Sequence, residues 1–219
     1  MAGAVFSDIE GTLVSGNTPG YFIKVGRNLG IIRTWRVIQA GLLIVVARPL
    51  PKRPRAYLQF LAFRRLMKGH SQAELERVVE ESIPGLLTRL KPNTLDRVHK
   101  HQAAGMPVFL VSAALHNVVT RLAQEFDGTG EGTKLEIVAG KCTGRPGSPV
   151  CQGEEKARRV EALAREHGLD LSQSVGFGDT LSDIAFLSLL GRAIVVDPAP
   201  EMIAEAQRRG WEILVNTSL

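Results

Sequence analysis

Short apolar runs recur along the chain and alternate with stretches whose apolar residues follow a helical period. The runs Ala4–Ile9, Pro107–Ser112, Ser174–Gly178, Ala193–Val196 and Glu212–Val215 are predicted strands. Between them, one helix opens after Pro92 and stops at Gly105, where a C-terminal glycine is expected. A second carries Leu115, Val118, Val119, Leu122 and Phe126 as an i, i+3, i+4, i+7 stripe, and a third runs from Glu154 to His167, ahead of Gly168. Strands alternating with helices of this length predict an α/β fold, a doubly wound and mostly parallel sheet with crossover helices.

One stretch breaks the alternation. From about Gly20 to Leu87 every pattern is helical: Tyr57, Leu58, Leu61, Arg65 and Leu66 fit an amphipathic helix with a basic face. Ser71-Gln72-Ala73-Glu74 is a capping box that opens a further helix through Leu75, Val78 and Val79. A block of helices inserted after the first strand predicts a separate lobe. The expected organisation is a catalytic α/β core of residues 1–14 and 88–219 and an all-helical cap domain of residues 15–87. The segment Lys134–Arg145 is read as a hairpin appended to the core.

The most apolar stretch, Val37–Ala47, contains Leu42-Leu43-Ile44-Val45-Val46 and is too short to cross a bilayer, which takes about 20 apolar residues in a helix. Arg33 and Arg36 precede it; Arg48, Lys52, Arg53 and Arg55 follow. That pairing allows an interfacial membrane anchor or a surface that holds anionic lipid headgroups. A buried helix of the small lobe with solvated ends is the favoured reading, because apolar runs this short usually belong to a core.

Composition narrows the classes. With 219 residues, 44% hydrophobic and 22% charged, the chain has the make-up of an ordinary globular protein. Its formal charge of +5 favours anionic partners. The chain has two tryptophans and two tyrosines and no basic–aromatic interleaving, so no nucleic-acid stacking platform is expected. The N-terminus lacks the basic and apolar regions of a secretory leader. Cys142 and Cys151 are too few for a disulfide framework, which favours a reducing, cytoplasmic setting and two free thiols, with a bridge across a hairpin as the alternative.

Ligands of a doubly wound sheet bind at the carboxyl ends of its strands, and polar residues gather there. The first strand ends in Asp8-Ile9-Glu10-Gly11-Thr12, the second in Ser112, and the strand Val175–Gly178 is followed by Asp179 and Asp183; Lys156 stands near a helix start. Brought to one edge, four carboxylates, a lysine and two hydroxyls need a cation, and hard oxygen ligands beside a substrate phosphate suit Mg²⁺. Asp8 is then placed to attack phosphorus, Glu10 to protonate the leaving alkoxide and afterwards to activate water, and Lys156 to offset phosphoryl charge.

Taken in order, these four motifs resemble the haloacid dehalogenase-like phosphatase superfamily, in its phosphoserine-phosphatase-like branch with a helical cap, over nearly the whole chain. Gly140–Arg145 and the closing Gly210-Trp211-Glu212-Ile213-Leu214 are similar to that branch as well. The resemblance implies a Mg²⁺-dependent phosphomonoesterase acting on a small phosphorylated metabolite. It makes Asp8 the nucleophile and Glu10 the acid/base. Gly11, Thr12, Ser112 and Lys156 fall around the phosphate, and Thr12 also holds the acid/base loop. Asp8, the main-chain carbonyl of Glu10, and Asp179 would ligate the metal, with Asp183 orienting its waters or Lys156.

Three positions depart from the usual pattern. Glu10 replaces an aspartate, although the enolase-phosphatase branch has a similar Asp-x-Glu-Gly-Thr motif; Ser112-Ala113-Ala114 replaces Ser-Gly-Gly; and Ser182 stands in place of asparagine. In the cap, Arg48, Lys52, Arg53, Arg55, Arg64, Arg65 and Lys68 either hold an anionic substrate tail or form solvated helix faces.

Overall fold

A computed structural model of the protein describes residues 2–16 and 18–216. The chain divides into two compact units. One comprises Met1–Thr18, Ile83–Thr133 and Pro149–Leu219; the other comprises Pro19–Ser82 and Lys134–Ser148.

The first unit is built on a six-stranded sheet whose pairings are all parallel. Its strands are β1 (Val5–Ser7), β2 (Val108–Leu115), β3 (Thr129–Thr133), β6 (Val175–Gly178), β7 (Arg192–Val196) and β8 (Glu212–Leu214). They lie in the order β3-β2-β1-β6-β7-β8. Apolar side chains on both sheet faces explain the continuous runs in the sequence: Val5, Phe6, Val108–Val111, Phe177 and Ile194–Val196 are all buried. The crossover helices α5 (Pro92–Ala103), α6 (His116–Gln124) and α7 (Glu154–His167) follow the predicted stripes; the short α8 (Ile184–Leu187) and α9 (Pro200–Arg209) join them without a counterpart among the predicted elements. The strand order reverses between β1 and β6, which puts the switch point at the two strand ends that carry Asp8 and Asp179.

Two sheet details differ from expectation. β2 does not end at Ser112 but continues to Leu115, with irregular pairing to β3 between Val111 and Leu115. The Ser112 hydroxyl accepts a hydrogen bond from the Ala114 amide at 3.3 Å, a local bond that competes with the regular ladder. Strand β3 was not foreseen, because Thr-Gly-Glu-Gly-Thr has neither alternation nor bulk. Its glycines serve close packing on α6: a Cβ at Gly130 would stand 2.5 Å from the Thr120 Cα.

The second unit contains α2 (Thr34–Ala47), α3 (Lys52–Met67), most of α1 (Thr18–Asn28) and of α4 (Gln72–Leu87), and the antiparallel pair β4 (Leu135–Val138) and β5 (Lys141–Pro146). The hairpin is therefore not an appendage of the core, and the inserted unit is not purely helical. Backbone bonds explain the change: the Gly69 amide donates to the Cys142 carbonyl, Cys142 to His70 and Gln72 to Gly140, so the hairpin completes the end of α3. The expected burial of Val37–Ala47 is also corrected. Only Ala40 and Ala47 of that helix are buried, while Ile38, Leu42, Ile44, Val45 and Val46 are exposed. No helix among the described residues is long and apolar enough to cross a membrane. Cys142 and Cys151 are buried free thiols, and burial pushes the Cys151 thiol up to about 11.

Replacing Gly130 with alanine should cost about 1–3 kcal/mol of stability, since the added methyl meets helix backbone that cannot yield. Urea unfolding of the Gly130→Ala protein against the parent measures this, and an unchanged midpoint would show that β3 has room to spare.

Candidate active site

The segment after β1 turns back at once. The Leu13 and Val14 amides both donate to the Ile9 carbonyl, and Gly11 closes the turn by donating to Val14. Gly11 has φ +74°, and a Cβ there would lie 2.0 Å from the Asp179 Oδ2, so no side chain fits. This tight loop fixes Asp8, whose amide donates to the Phe177 carbonyl of β6 at 2.9 Å, and brings Thr12 to donate to Asp179 Oδ1 at 3.3 Å.

Lys156 comes from the first turn of α7 and is almost wholly buried, with its ammonium nitrogen 4.8 Å from the centre of the Phe186 ring. Its ammonium donates to Asp8 Oδ1 at 2.6 Å and to Asp183 Oδ1 at 2.7 Å. Asp183 is saturated on its other side, where Oδ2 accepts from the Asp179 amide (3.2 Å), the Thr180 amide (3.1 Å) and the Thr180 hydroxyl (3.1 Å). Asp183 therefore spends both oxygens on positioning Lys156 and the 179–180 turn.

Oxygens of Asp8, Asp179 and Asp183 lie within 4.8 Å of one another. Of the four carboxylates expected to cluster, the Glu10 side chain stands apart: its Oε1 accepts from the Thr18 amide at 2.7 Å. A cavity of about 170 Å³ is lined by Asp8, Glu10, Ser112, Lys156, Asp179 and Asp183, together with Ala113, Cys151, Gln152, Thr180 and Ser182. Gly11 and Thr12, expected against the phosphate, are not among its lining residues; they support Asp179 from behind.

The electrostatics follow from burial. Desolvation pushes the Asp8 carboxyl above its ordinary range, against the pull of Lys156, and it raises Glu10 as well. Asp179 is pushed up to about 7, first by burial and then by the Asp8 and Asp183 charges beside it. Burial opposes the Lys156 charge, yet Asp8 and Asp183 hold its pKa above the usual lysine range. Burial also works against the Asp183 charge, but Lys156 and the turn amides keep that carboxyl low. Three carboxylates against one ammonium leave an excess of negative charge, and the all-oxygen donor set suits a hard divalent cation. The residues present therefore fit a Mg²⁺ ion.

Sequence reasoning missed several members of the site. Lys91 donates to the Gly11 carbonyl and, at 2.7 Å, to Asp197 Oδ2, which ties the turn after β1 to the end of β7. Thr18 holds Glu10 through a backbone amide, and Cys151 and Gln152 line the cavity. Backbone donors have no sequence signature; the only signal for Lys91 was its place just before the proline that opens α5.

The sequence profile of the haloacid dehalogenase-like hydrolases matches residues 5–188. The phosphoserine phosphatase SerB1 of Mycobacterium tuberculosis is 30% identical over 221 residues, which span 97% of this chain and 70% of that protein. Among solved structures, a Bordetella pertussis Tohama I protein of unknown function superposes with a TM-score of 0.76 at 24% identity, covering 98% of both chains. A probable phosphoserine phosphatase from Vibrio cholerae gives 0.70 at 18% identity, over 98% of this chain and 60% of its own. At those identities the two structures speak for the shared fold. The chain belongs to the haloacid dehalogenase-like hydrolase family. It is an enzyme of the phosphatase type.

Removing the buried cation tests the electrostatic account. Lys156→Met should lose on the order of 3–5 kcal/mol of stability at pH 8, because it strands Asp8 and Asp183. Without the lysine both carboxylates bind protons more tightly folded than unfolded, so the variant's stability falls as pH rises. Metal-free unfolding at pH 5.5 and 8 should show a smaller deficit in acid, whereas a pH-independent deficit would sink the account.

Proposed function

We propose that the protein is a Mg²⁺-dependent phosphomonoesterase that hydrolyses a small phosphorylated metabolite through an aspartyl-phosphate on Asp8. The observation that carries this reading is the buried Lys156 ammonium, joined to both Asp8 and Asp183 beside Asp179 at the switch point of the sheet.

Each residue has a task in this reading. Asp8 and Asp179, with the Glu10 carbonyl, would hold the metal, which supplies charge compensation for the bound phosphoryl group. The Lys156 ammonium and the Ser112 hydroxyl, which receives the Ala114 amide and keeps its own proton to donate, meet phosphoryl oxygens. An Asp8 oxygen attacks phosphorus as the ester P–O bond breaks, and the departing alkoxide takes the proton of Glu10. Burial raises the Glu10 pKa, which favours its carrying that proton at the start. Glu10, now ionised, takes a proton from water as the water oxygen attacks phosphorus. The P–O bond to Asp8 breaks, and both phosphate and the Asp8 carboxylate are released.

The Thr18 amide fixes the Glu10 carboxylate in its longer reach, the task a shorter aspartate performs in most relatives. Residues 19–82 with the 134–148 hairpin would serve as the cap that excludes water and selects the substrate. The guanidiniums of Arg48, Arg55, Arg64 and Arg65 are candidates for meeting its anionic tail; the side chains of Lys52 and Arg53 lie outside the described residues. Phosphoserine is the first ester to test, given the mycobacterial relative, and the two free thiols suit a cytoplasmic setting.

Phosphate release from p-nitrophenyl phosphate and a metabolite panel should require Mg²⁺, stop with EDTA and vanish in Asp8→Asn. Turnover that survives in Asp8→Asn would overturn the aspartyl-phosphate route. Glu10→Gln separates the acid role by leaving group. An alkyl phosphate should slow by about 10²–10⁴-fold in its first step, while p-nitrophenyl phosphate, whose phenolate needs no proton, keeps a normal burst of p-nitrophenol. Equal loss with both esters would assign the proton to another group.

A further inference from the structure

The helical hairpin α2–α3 carries an exposed apolar stripe that the phosphatase reading does not use. Helix α2 is apolar on two faces. Ala40 and Ala47 are buried, whereas Trp35, Ile38, Leu42 and Val45, at i, i+3, i+7 and i+10, form a second stripe that is 49%, 67%, 64% and 57% exposed. Val46 extends it, and Tyr57 on the neighbouring α3 is exposed as well. A surface helix of a globular protein normally turns polar residues outward, so an exposed stripe of large aliphatic side chains beside a tryptophan needs an occupant.

Charge indicates which occupant. Residues 11–73 contain eleven lysines and arginines and no aspartate or glutamate, so the remaining 156 residues carry 5 − 11 = −6. Arg33 and Arg48, both exposed, bracket the apolar stripe at the two ends of α2. The guanidinium of Arg36 donates to the Lys68 carbonyl, that of Arg55 to the Leu50 and Arg48 carbonyls, and that of Arg65 to the Gln39 amide oxygen. Those contacts orient the cations without neutralising them. Two copies of such a surface would repel each other, and a neutral protein groove would leave the cations unused. A plane of anionic headgroups over hydrocarbon satisfies both features, with the apolar stripe entering the interface and the flanking arginines among the lipid phosphates. At 14 residues α2 is too short to cross and long enough, about 21 Å, to lie in the plane.

We propose that the exposed face of α2, with Tyr57 of α3, is a docking surface for anionic lipid bilayers, which brings the enzyme to the membrane surface. The proposal concerns binding alone, so it stands or falls separately from the catalytic reading.

The test uses the full chain carrying Trp211→Phe, which leaves Trp35 as the single tryptophan. It is mixed with vesicles of phosphatidylcholine alone, or of phosphatidylcholine with phosphatidylglycerol. Co-sedimentation with the anionic vesicles only, weakening as salt is raised, and a blue shift of Trp35 emission are the expected results. Ile38→Asp with Leu42→Asp should lower the partition coefficient by roughly tenfold or more, with the thermal midpoint unchanged because both residues are exposed. Arg33→Glu with Arg48→Glu should remove the salt dependence along with most of the binding. Three results would overturn the proposal: no sedimentation with either vesicle, sedimentation that the Ile38/Leu42 variant retains, or a Trp35 blue shift without vesicles that tracks dimer formation in sedimentation velocity.

Discussion

The Lys156 ammonium is the constraint on which the catalytic unit depends. It joins the end of β1 to the turn after β6 through two short ion pairs, and it reaches them from a third segment, the first turn of α7. In water such pairs are worth little; here both partners are out of solvent, and removing any one leaves an uncompensated charge. The cluster is therefore a lock on sheet geometry as well as a chemical centre. Gly11 and Thr12 press Asp179 toward the same point, and Lys91 secures the loop from outside. Burial first, and then the Asp8 and Asp183 charges beside it, raise Asp179 toward neutrality, so the polypeptide alone leaves the site short of positive charge.

Much of this was legible in the residues, for identifiable reasons. Strands buried on both faces show up as apolar runs, and β1, β2, β6 and β7 are legible that way. Asp8, Asp179 and Asp183 were found because a doubly wound sheet gathers its polar residues at strand ends. What escaped notice depends on contacts distant in sequence. β3 is held by the absence of side chains, as Gly130 against Thr120 shows, and absence has no hydrophobic signature. The sequence of the hairpin at residues 134–148 does not show which unit it joins, because its partners, Gly69, His70 and Gln72, meet it through backbone atoms. The Thr12 hydroxyl donates to Asp179, a contact 167 residues away in sequence that no local pattern announces.

The glutamate at position 10 shows how one extra methylene is accommodated. Its carboxylate is neither free in solvent nor part of the acidic group; an amide at the start of α1 holds it, at the cavity wall. The longer side chain is thus pinned at both ends, by the tight turn behind it and by Thr18 in front. The helical unit illustrates the opposite limit of sequence reading. An apolar run in Val37–Ala47 suggested burial, but periodicity alone cannot tell a core face from an exposed one when a helix is apolar on both.

The insertion also imposes a schedule on synthesis. Val5 pairs with Val108 and with Val175, partners 108 − 5 = 103 and 175 − 5 = 170 residues further along. The central strand of the sheet is therefore the first made and among the last to be satisfied, while every helix through α4 can form in the interval. At about 5–20 residues per second the ribosome needs roughly 5–20 s to supply the first partner and longer for the second. Throughout that time an apolar segment, Ala4-Val5-Phe6, waits with its backbone groups unpaired. Closing so distant a pairing is slow for reasons of chain entropy alone. The sheet closes only when the chain returns to β1, and of its strands β1 is the one left longest without its neighbours.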